Sequence, residues 1–283
     1  MDDQFLTGTK PTWCPGCGNF GIWMALRSAL TRLAMPRENI VIVYGVGCHG
    51  NMRDWMNVYG VQGLHGRALP VAQGIKLANP KLTVIAVTGD GDCLGEGGNH
   101  FIHAAKRNPD ITVLVHNNEV YGLTTGQASP TAQIGMVTKS TPAGVTDPPF
   151  TPASLAIFAG ATFAARGFTG DIPYLSELME QAILHKGFSV VDMLQPCITF
   201  DKIHTYEWYR KRVQKVNIPE EKLPNVRESL EYACEFGEKI PIGVLHKRSV
   251  ETSEDREIVL KNGPLASLPV VPVAGLDLIA QFR

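Results

Sequence analysis

The chain alternates between short unbroken apolar runs and longer stretches in which apolar residues return every three or four positions. The runs Ile40 to Gly45, Leu82 to Thr88, Ile111 to Asn117 and Phe188 to Leu194 have the length of strands. Being apolar at successive positions, they predict strands covered on both faces, as in a parallel sheet. Between them lie segments of helical period. Residues 20 to 35 place Ile22, Leu26, Ala29, Leu30 and Leu33 on one stripe, with Asn19 as the expected N-cap. Helices are also predicted over 67 to 78, 97 to 107, 153 to 160 and 173 to 185, with a further strand over 161 to 166. Strand, helix and strand in repetition predict an α/β protein with a doubly wound, mostly parallel sheet.

Two stretches break the rhythm. Residues 119 to 152 hold Gly122, Gly126, Pro130, Gly135, Pro142, Gly144, Pro148, Pro149 and Pro152, and predict a long irregular segment. Loops of that length in compact domains tend to carry function. Beyond Cys197, residues 204 to 216 read as a basic amphipathic helix, and 217 to 283 hold short apolar pieces between prolines. The expected organisation is one domain over 1–200 and an extended C-terminal arm over 201–283, packed on a partner subunit.

Candidate chemistry gathers where the strands end. Gly89-Asp90-Gly91-Asp92 closes one apolar run, and twenty-five residues separate Gly91 from Asn117-Asn118, which closes the next. In a parallel sheet both turns emerge at the carboxyl edge, where such folds bind ligands. Glycines there let backbone N–H groups approach phosphate oxygens, and the hard oxygens of Asp90 and Asn118 suit Mg²⁺ held together with a diphosphate.

Four cysteines also sit at element ends. Trp13-Cys14-Pro15-Gly16-Cys17-Gly18 opens the chain, Cys48 lies in Gly45-Val46-Gly47-Cys48-His49-Gly50, and Cys197 follows Gln195-Pro196. A Cys-x-x-Cys pair is compatible with a redox dithiol or a structural zinc, but one pair plus two distant singles suits an iron–sulfur cluster better than the two tight pairs of a zinc site. Cys93 and Cys234 lack such settings and read as ordinary thiols.

Composition narrows the field. With 283 residues the chain can bury one large α/β core, and a formal net charge of −1 gives no electrostatic footprint for nucleic acid or membrane. No apolar run reaches spanning length. Six cysteines without a leader-like start point to a reducing, cytoplasmic setting.

These motifs together resemble the β subunits of the 2-oxoacid:ferredoxin oxidoreductases. The resemblance is carried by the cysteine motifs, by Leu64-His65-Gly66-Arg67-Ala68-Leu69-Pro70, by Gly89 to Asp92, and by Asn117 to Thr124 with Gly126 to Thr131. It implies the thiamine-diphosphate-binding fold, with Cys14, Cys17, Cys48 and Cys197 ligating one [4Fe-4S] cluster and with Asp90, Asn118 and the carbonyl of Val120 on Mg²⁺. It further implies a cofactor site built from Gly47, Cys48, His65, Gly89, Gly91, Asp92, Asn117, Tyr121, Gly122 and Leu123, and a substrate side formed by His49, Leu123 and Thr125. The implied reaction is CoA-dependent oxidative decarboxylation of a 2-oxoacid, with electrons leaving through the cluster to ferredoxin. The thiamine cofactor also needs a carboxylate against its aminopyrimidine. In this family that glutamate, like the CoA site, is supplied by an α subunit, in an αβ or (αβ)2 complex. Many relatives carry Lys at the position of Thr125, so the charge expected to meet a distal substrate carboxylate is missing there. The preferred substrate is 2-oxoglutarate, with pyruvate or branched-chain 2-oxoacids as alternatives. A decarboxylase of the same cofactor without a cluster, and a non-catalytic iron–sulfur or zinc scaffold, are the rival readings.

Overall fold

The computed structural model describes residues 4–269. Helix α1 (Asn19–Arg32) leads to strand β1 (Ile40–Tyr44), and a 3-10 stretch over Cys48–Asp54 leads on to β2 (Tyr59–Gln62) and α2 (Ala68–Ala78). Strand β3 (Thr83–Gly89) runs into a π-helical turn over Gly91–Glu96, then α3 (Gly98–Arg107) and β4 (Ile111–Asn117). The irregular segment begins with a small hairpin of β5 (Val120–Tyr121) and β6 (Gln127–Ala128). Helix α4 (Pro152–Ala159), β7 (Phe163–Phe168), α5 (Ile172–Leu184) and β8 (Ser189–Leu194) follow. The last described elements are α6 (Tyr206–Arg210), β9 (Val213–Lys215), α7 (Val226–Cys234), β10 (Ile240–Lys247) and the single turn α8 (Ser253–Arg256).

One eight-stranded sheet runs in the order β2-β1-β3-β4-β8-β7-β10-β9. Strands β2 through β7 are mutually parallel, and β10 joins β7 antiparallel. From β1 the chain moves outward to β2 and then returns to β3 on the other side of β1. That reversal opens a crevice beyond the carboxyl ends of β1 and β3, the place where open α/β sheets receive ligands.

The fully buried runs of β1, β4, β7 and β8 are sandwiched as their uniform apolarity predicts. Ile22, Leu26, Ala29 and Leu30 of α1 meet Leu175, Leu178 and Met179 of α5 on one face. Phe101 and Ala104 of α3, with Ala72 of α2 and Ala156 of α4, cover the other. No described helix is long and apolar enough to cross a membrane.

Three local expectations are corrected. Gly18, without a side-chain cap, precedes α1, and Asn19 is its first residue, because the Asn19 carboxamide turns inward to His116. The helix expected over 204 to 216 is interrupted after Arg210. The stretch from Val213 instead takes an extended path and pairs with β10, while Thr205 caps the short α6 that remains. Residues 240 to 247 complete the main sheet, so part of the segment expected as an arm is sheet edge. Pro241 and Gly243 mask that strand in the sequence, and they are tolerated because it lies near the edge and carries a bulge between Val244 and His246. Residues 270–283, the end of the expected arm, lie outside the described residues.

A buried ion pair ties this edge to the site. Arg166 of β7 is fully buried, and its Nε donates to Asp192 Oδ2 of β8 at 3.0 Å. Its other nitrogens donate to the Ala233 and Glu235 carbonyls at the carboxyl end of α7, where a cation also suits the helix dipole. Asp192 Oδ1 accepts from Asn117 at 2.9 Å. Asp192→Ala leaves the guanidinium buried without its counter-charge, so a loss of about 3–5 kcal/mol of folding stability is expected. Chemical denaturation measures it, and a loss within the range of a surface substitution counts against the network.

Candidate active site

Strands β1, β3 and β4 end side by side, which brings residues 45–49, 89–92 and 117–118 to one edge of the sheet. A cavity opens there, lined by Val46, Gly47, Cys48, His49, His65, Gly89, Asp90, Gly91, Asp92, Asn118 and Val120 to Thr124, together with Asn19, His116 and Gln195. Every cofactor-side residue expected from the sequence lines it except Asn117. Asn117 Nδ2 donates to Asp192 Oδ1, which ties the end of β4 to β8, while its Oδ1 is buried without a partner.

Asp90 is buried, and three donors converge on its Oδ2: the Glu119 N–H at 2.9 Å, the Ser129 hydroxyl at 2.7 Å and the Thr131 hydroxyl at 2.5 Å. Burial nevertheless raises the carboxyl above its ordinary range, because removal from water disfavours the charged form. Asp92 does a different job. Its oxygens accept from the Gly66 N–H at 2.8 Å, the Val46 N–H at 3.2 Å and the Thr88 hydroxyl at 2.6 Å, which braces three loops against one another. Against the upward push of burial, these donors and the facing His49 ring hold its carboxyl below the usual range. Asn118 Oδ1 accepts from the Val120 N–H at 3.1 Å, which orients the carboxamide. Tyr121 lies over Gly91 so closely that a Cβ there would come within 2.5 Å of the ring, so this turn requires glycine.

His49 is nearly buried, and its Nε2 stands 3.8 Å from Asp92 Oδ2, too far for a hydrogen bond. His116 lies 5.6 Å away ring to ring, and burial beside His49 keeps it well below the usual histidine range. The atoms His49 Nε2, His116 Nε2 and Asn19 Nδ2 are buried without a partner, and all three residues line the cavity. Buried polar atoms are rarely left so without reason.

A second cavity adjoins the first. It is lined by Cys14, Cys17, Cys48 and Cys197, with Trp13, Ile198 and Phe200, and it shares Cys48, Asn118, Gly122, Leu123, Asn19 and Gln195 with the cofactor cavity. Trp13 packs edge-on to Phe20, Trp23 and Trp55, and its indole N–H donates to the Cys48 carbonyl at 2.6 Å, clamping the two cysteine loops together. Amide hydrogens surround the sulfurs: those of Thr199, Phe200 and Asp201 at Cys197, and that of Asn19 at Cys17. Burial, reinforced by the neighbouring cysteines, pushes Cys17 up to about 12 and Cys48 up to about 11. Thiolates here therefore need a cation among them. Among the described residues no three His, Cys, Asp or Glu side chains converge on a point fit for a single metal ion. Cys93 is packed in the core under α3 and Cys234 is exposed at the end of α7, both away from this cavity.

Gly122 forms the wall between the cavities. A Cβ there would lie 3.3 Å from Cys48 Sγ and 3.9 Å from both Asn118 Nδ2 and Cys197 Sγ. The loop that carries Gly122 is bracketed by two non-glycine residues in left-handed backbone, Glu119 at φ 63° and Thr125 at φ 77°, a strain that clusters at functional sites. Thr125 lines the cysteine cavity and not the first one.

Several residues escaped the sequence reading. Ser129 and Thr131 orient Asp90, and nothing in a Ser-Pro-Thr triplet announces that. Glu119 is buried, and its carboxyl is pushed up to about 8 by burial, with the nearby His204 opposing; Tyr209 donates to it at 3.1 Å. Asn19 and Gln195 come from outside the motifs, brought in by the start of α1 and the end of β8.

The donor set fits a diphosphate-bearing cofactor: a glycine-rich turn, one anionic and one amide oxygen donor, and unpartnered polar atoms deeper in the cavity. Comparison with known proteins agrees. The family described as thiamine pyrophosphate enzyme, C-terminal TPP binding domain, matches residues 15–193, and the family covering the C terminal of the pyruvate ferredoxin oxidoreductase beta subunit matches 197–262. The chain is 45% identical to the 2-oxoacid:ferredoxin oxidoreductase subunit beta of Saccharolobus solfataricus, covering 87% of this chain and 85% of that one. It is 40% identical to the 2-oxoglutarate synthase subunit KorB of Archaeoglobus fulgidus, covering 84% and 93%. A solved 2-oxoglutarate:ferredoxin oxidoreductase from Magnetococcus marinus, with 2-oxoglutarate, coenzyme A and succinyl-CoA bound, superposes with a TM-score of 0.88 at 34% identity, covering 99% and 94%. A cavity at the sheet edge, sharing Gly122 and five other residues with a pocket of four cysteines, thus sits in a chain that belongs to the β subunits of the 2-oxoacid:ferredoxin oxidoreductases.

Proposed function

We propose that this protein, joined to an α subunit, oxidises 2-oxoglutarate, with Mg²⁺ on Asp90, Asn118 and the Val120 carbonyl and a [4Fe-4S] cluster on Cys14, Cys17, Cys48 and Cys197. The observation that carries the reading is the shared wall at Gly122, which puts the four sulfurs next to the cofactor cavity. Four cysteines from three separate stretches of the chain line one pocket, the ligand number that a [4Fe-4S] cluster takes.

Thiamine diphosphate supplies the electron sink for decarboxylation, and the cluster supplies one-electron oxidation. The chain's own residues do the rest. Asp90 is aimed by Ser129, Thr131 and the Glu119 N–H. Asp92 keeps the Val46 and Gly66 turns in register. His49 and Leu123 face the space left for substrate. The α subunit is proposed to bring the pyrimidine-activating glutamate and the CoA site, ferredoxin to take the electrons, and the complex to work in the cytoplasm. Anaerobic protein is expected to be brown, with about four irons per chain. Stoichiometric zinc without iron defeats the cluster assignment.

Lys139 Nζ donates to Thr125 Oγ1 at 2.9 Å, so a positive charge stands beside position 125 on the cysteine-cavity side of the loop, where a substrate tail reaching past Leu123 would meet it. This favours a dicarboxylate over pyruvate. A hydrogen bond to a charged group contributes about 1.5–3 kcal/mol, so Lys139→Ala is expected to lower the kcat/KM preference for 2-oxoglutarate over pyruvate by about tenfold or more. An unchanged ratio, with cofactor and iron fully loaded, assigns selectivity to the α subunit.

A further inference from the structure

Gln195 borders both cavities and belongs to neither ligand set. It follows β8 directly, it is 1% exposed, and its backbone N–H donates to the Asn117 carbonyl at 2.8 Å, so its main chain is pinned. Its side chain bridges the two sites. Oε1 lies 2.9 Å from His116 Nδ1, and Nε2 lies 3.9 Å from Cys17 Sγ.

Chemistry favours one direction for that bridge. With the Gln195 and Asn19 carboxamide oxygens both set toward His116 Nδ1, the latter at 2.8 Å, the tautomer that satisfies them carries its hydrogen on that nitrogen. Gln195 must then present its oxygen to the ring and its N–H to the sulfur. The opposite flip would set an oxygen lone pair against a thiolate and two sets of donor hydrogens against each other.

We infer that Gln195 raises the reduction potential of the cluster through an N–H···S bond to Cys17, with His116 as its anchor; the inference rests on the cluster assignment above. An electron added to a cluster increases the negative charge on its sulfurs, and a donor N–H stabilises the reduced form more than the oxidised one. Cys17 also receives the backbone N–H of Asn19. The Gln195 donor is carried by a side chain and can be removed by mutation. His116 presents its other nitrogen, unpartnered, to the cofactor cavity.

The test is an EPR-monitored potentiometric titration of the assembled complex carrying Gln195→Leu or Gln195→Met, with iron counted in the same samples. At fixed potential the ratio of reduced to oxidised cluster is expected to fall at least about tenfold, a midpoint about 59 mV lower for a one-electron couple. Full iron with an unchanged midpoint in both variants overturns the inference, whereas wild-type protein without iron overturns the cluster assignment instead. Should both substitutions block iron loading, the wild type decides. With glutamine side chains labelled with ¹⁵N, pulsed EPR of the reduced cluster is expected to show coupling to an amide nitrogen, and its absence overturns the inference.

Discussion

Cys197→Ala is expected to yield a folded chain that still binds thiamine diphosphate but has lost the visible absorbance of its iron, wholly or by conversion to a smaller cluster, and no longer reduces ferredoxin. The reason is local. Cys197 is buried among the N–H groups of Thr199, Phe200 and Asp201, and the nearby Asp201 carboxylate is already engaged by the Ile203 N–H and by His204. Cys234→Ala is the matched control. That thiol is exposed at the end of α7, outside the cysteine cavity, and its loss is expected to leave iron and activity intact. Four irons per chain in Cys197→Ala would remove this cysteine from the ligand set.

Asp90→Asn is expected to weaken thiamine-diphosphate binding on the order of a hundredfold, at or beyond the upper end of what loss of a residue supporting a metal ligand costs. The asparagine keeps an oxygen to accept from Ser129, Thr131 and the Glu119 N–H, so the turn survives and the change isolates the charge that Mg²⁺ needs. Asp90→Ala adds a structural cost. It strands the Glu119 N–H and one of the two hydroxyls, the other being able to turn to its neighbour at 2.9 Å, at about 1–3 kcal/mol for each group left unsatisfied. Equilibrium dialysis of the cofactor at fixed Mg²⁺ separates the two effects, and wild-type affinity in Asp90→Asn would place the metal elsewhere.

The elements that sequence made legible are those whose burial is uniform. Strands β1, β3, β4 and β8 read as unbroken apolar runs because both faces are covered, and α1 and α5 read as stripes because each buries one side. Strand β2, with all four residues exposed, has no such signal, and it is held only by pairing with β1. The Gly-Asp-Gly turn was legible because the close pass of Tyr121 leaves no room for a side chain at Gly91, whereas of the asparagine pair only Asn118 lines the cavity. The floor of the site was not. Asn19, His116 and Gln195 come from three distant elements, and their meeting depends on the packing of α1 and on the register of β4 with β8. Lys139 illustrates the same limit: a cation fourteen positions after Thr125 is invisible to any fixed-spacing rule until the loop folds back.

The distribution of the cysteines along the chain has a consequence for biogenesis. Cys14 precedes α1, whereas Cys197 follows β8, a strand that pairs on both sides with β4 and β7. A chain leaving the ribosome from its N-terminus exposes Cys14, Cys17 and Cys48 long before Cys197 is synthesised. Iron captured at that stage would keep an open coordination position exposed to oxygen. On the proposed ligand set, loading belongs after β8 has entered the sheet, when Trp13 has clamped the Cys48 loop and the pocket already exists. The proposed cluster would staple the residues before α1 to the end of β8, so oxidative loss of iron would free both segments at once.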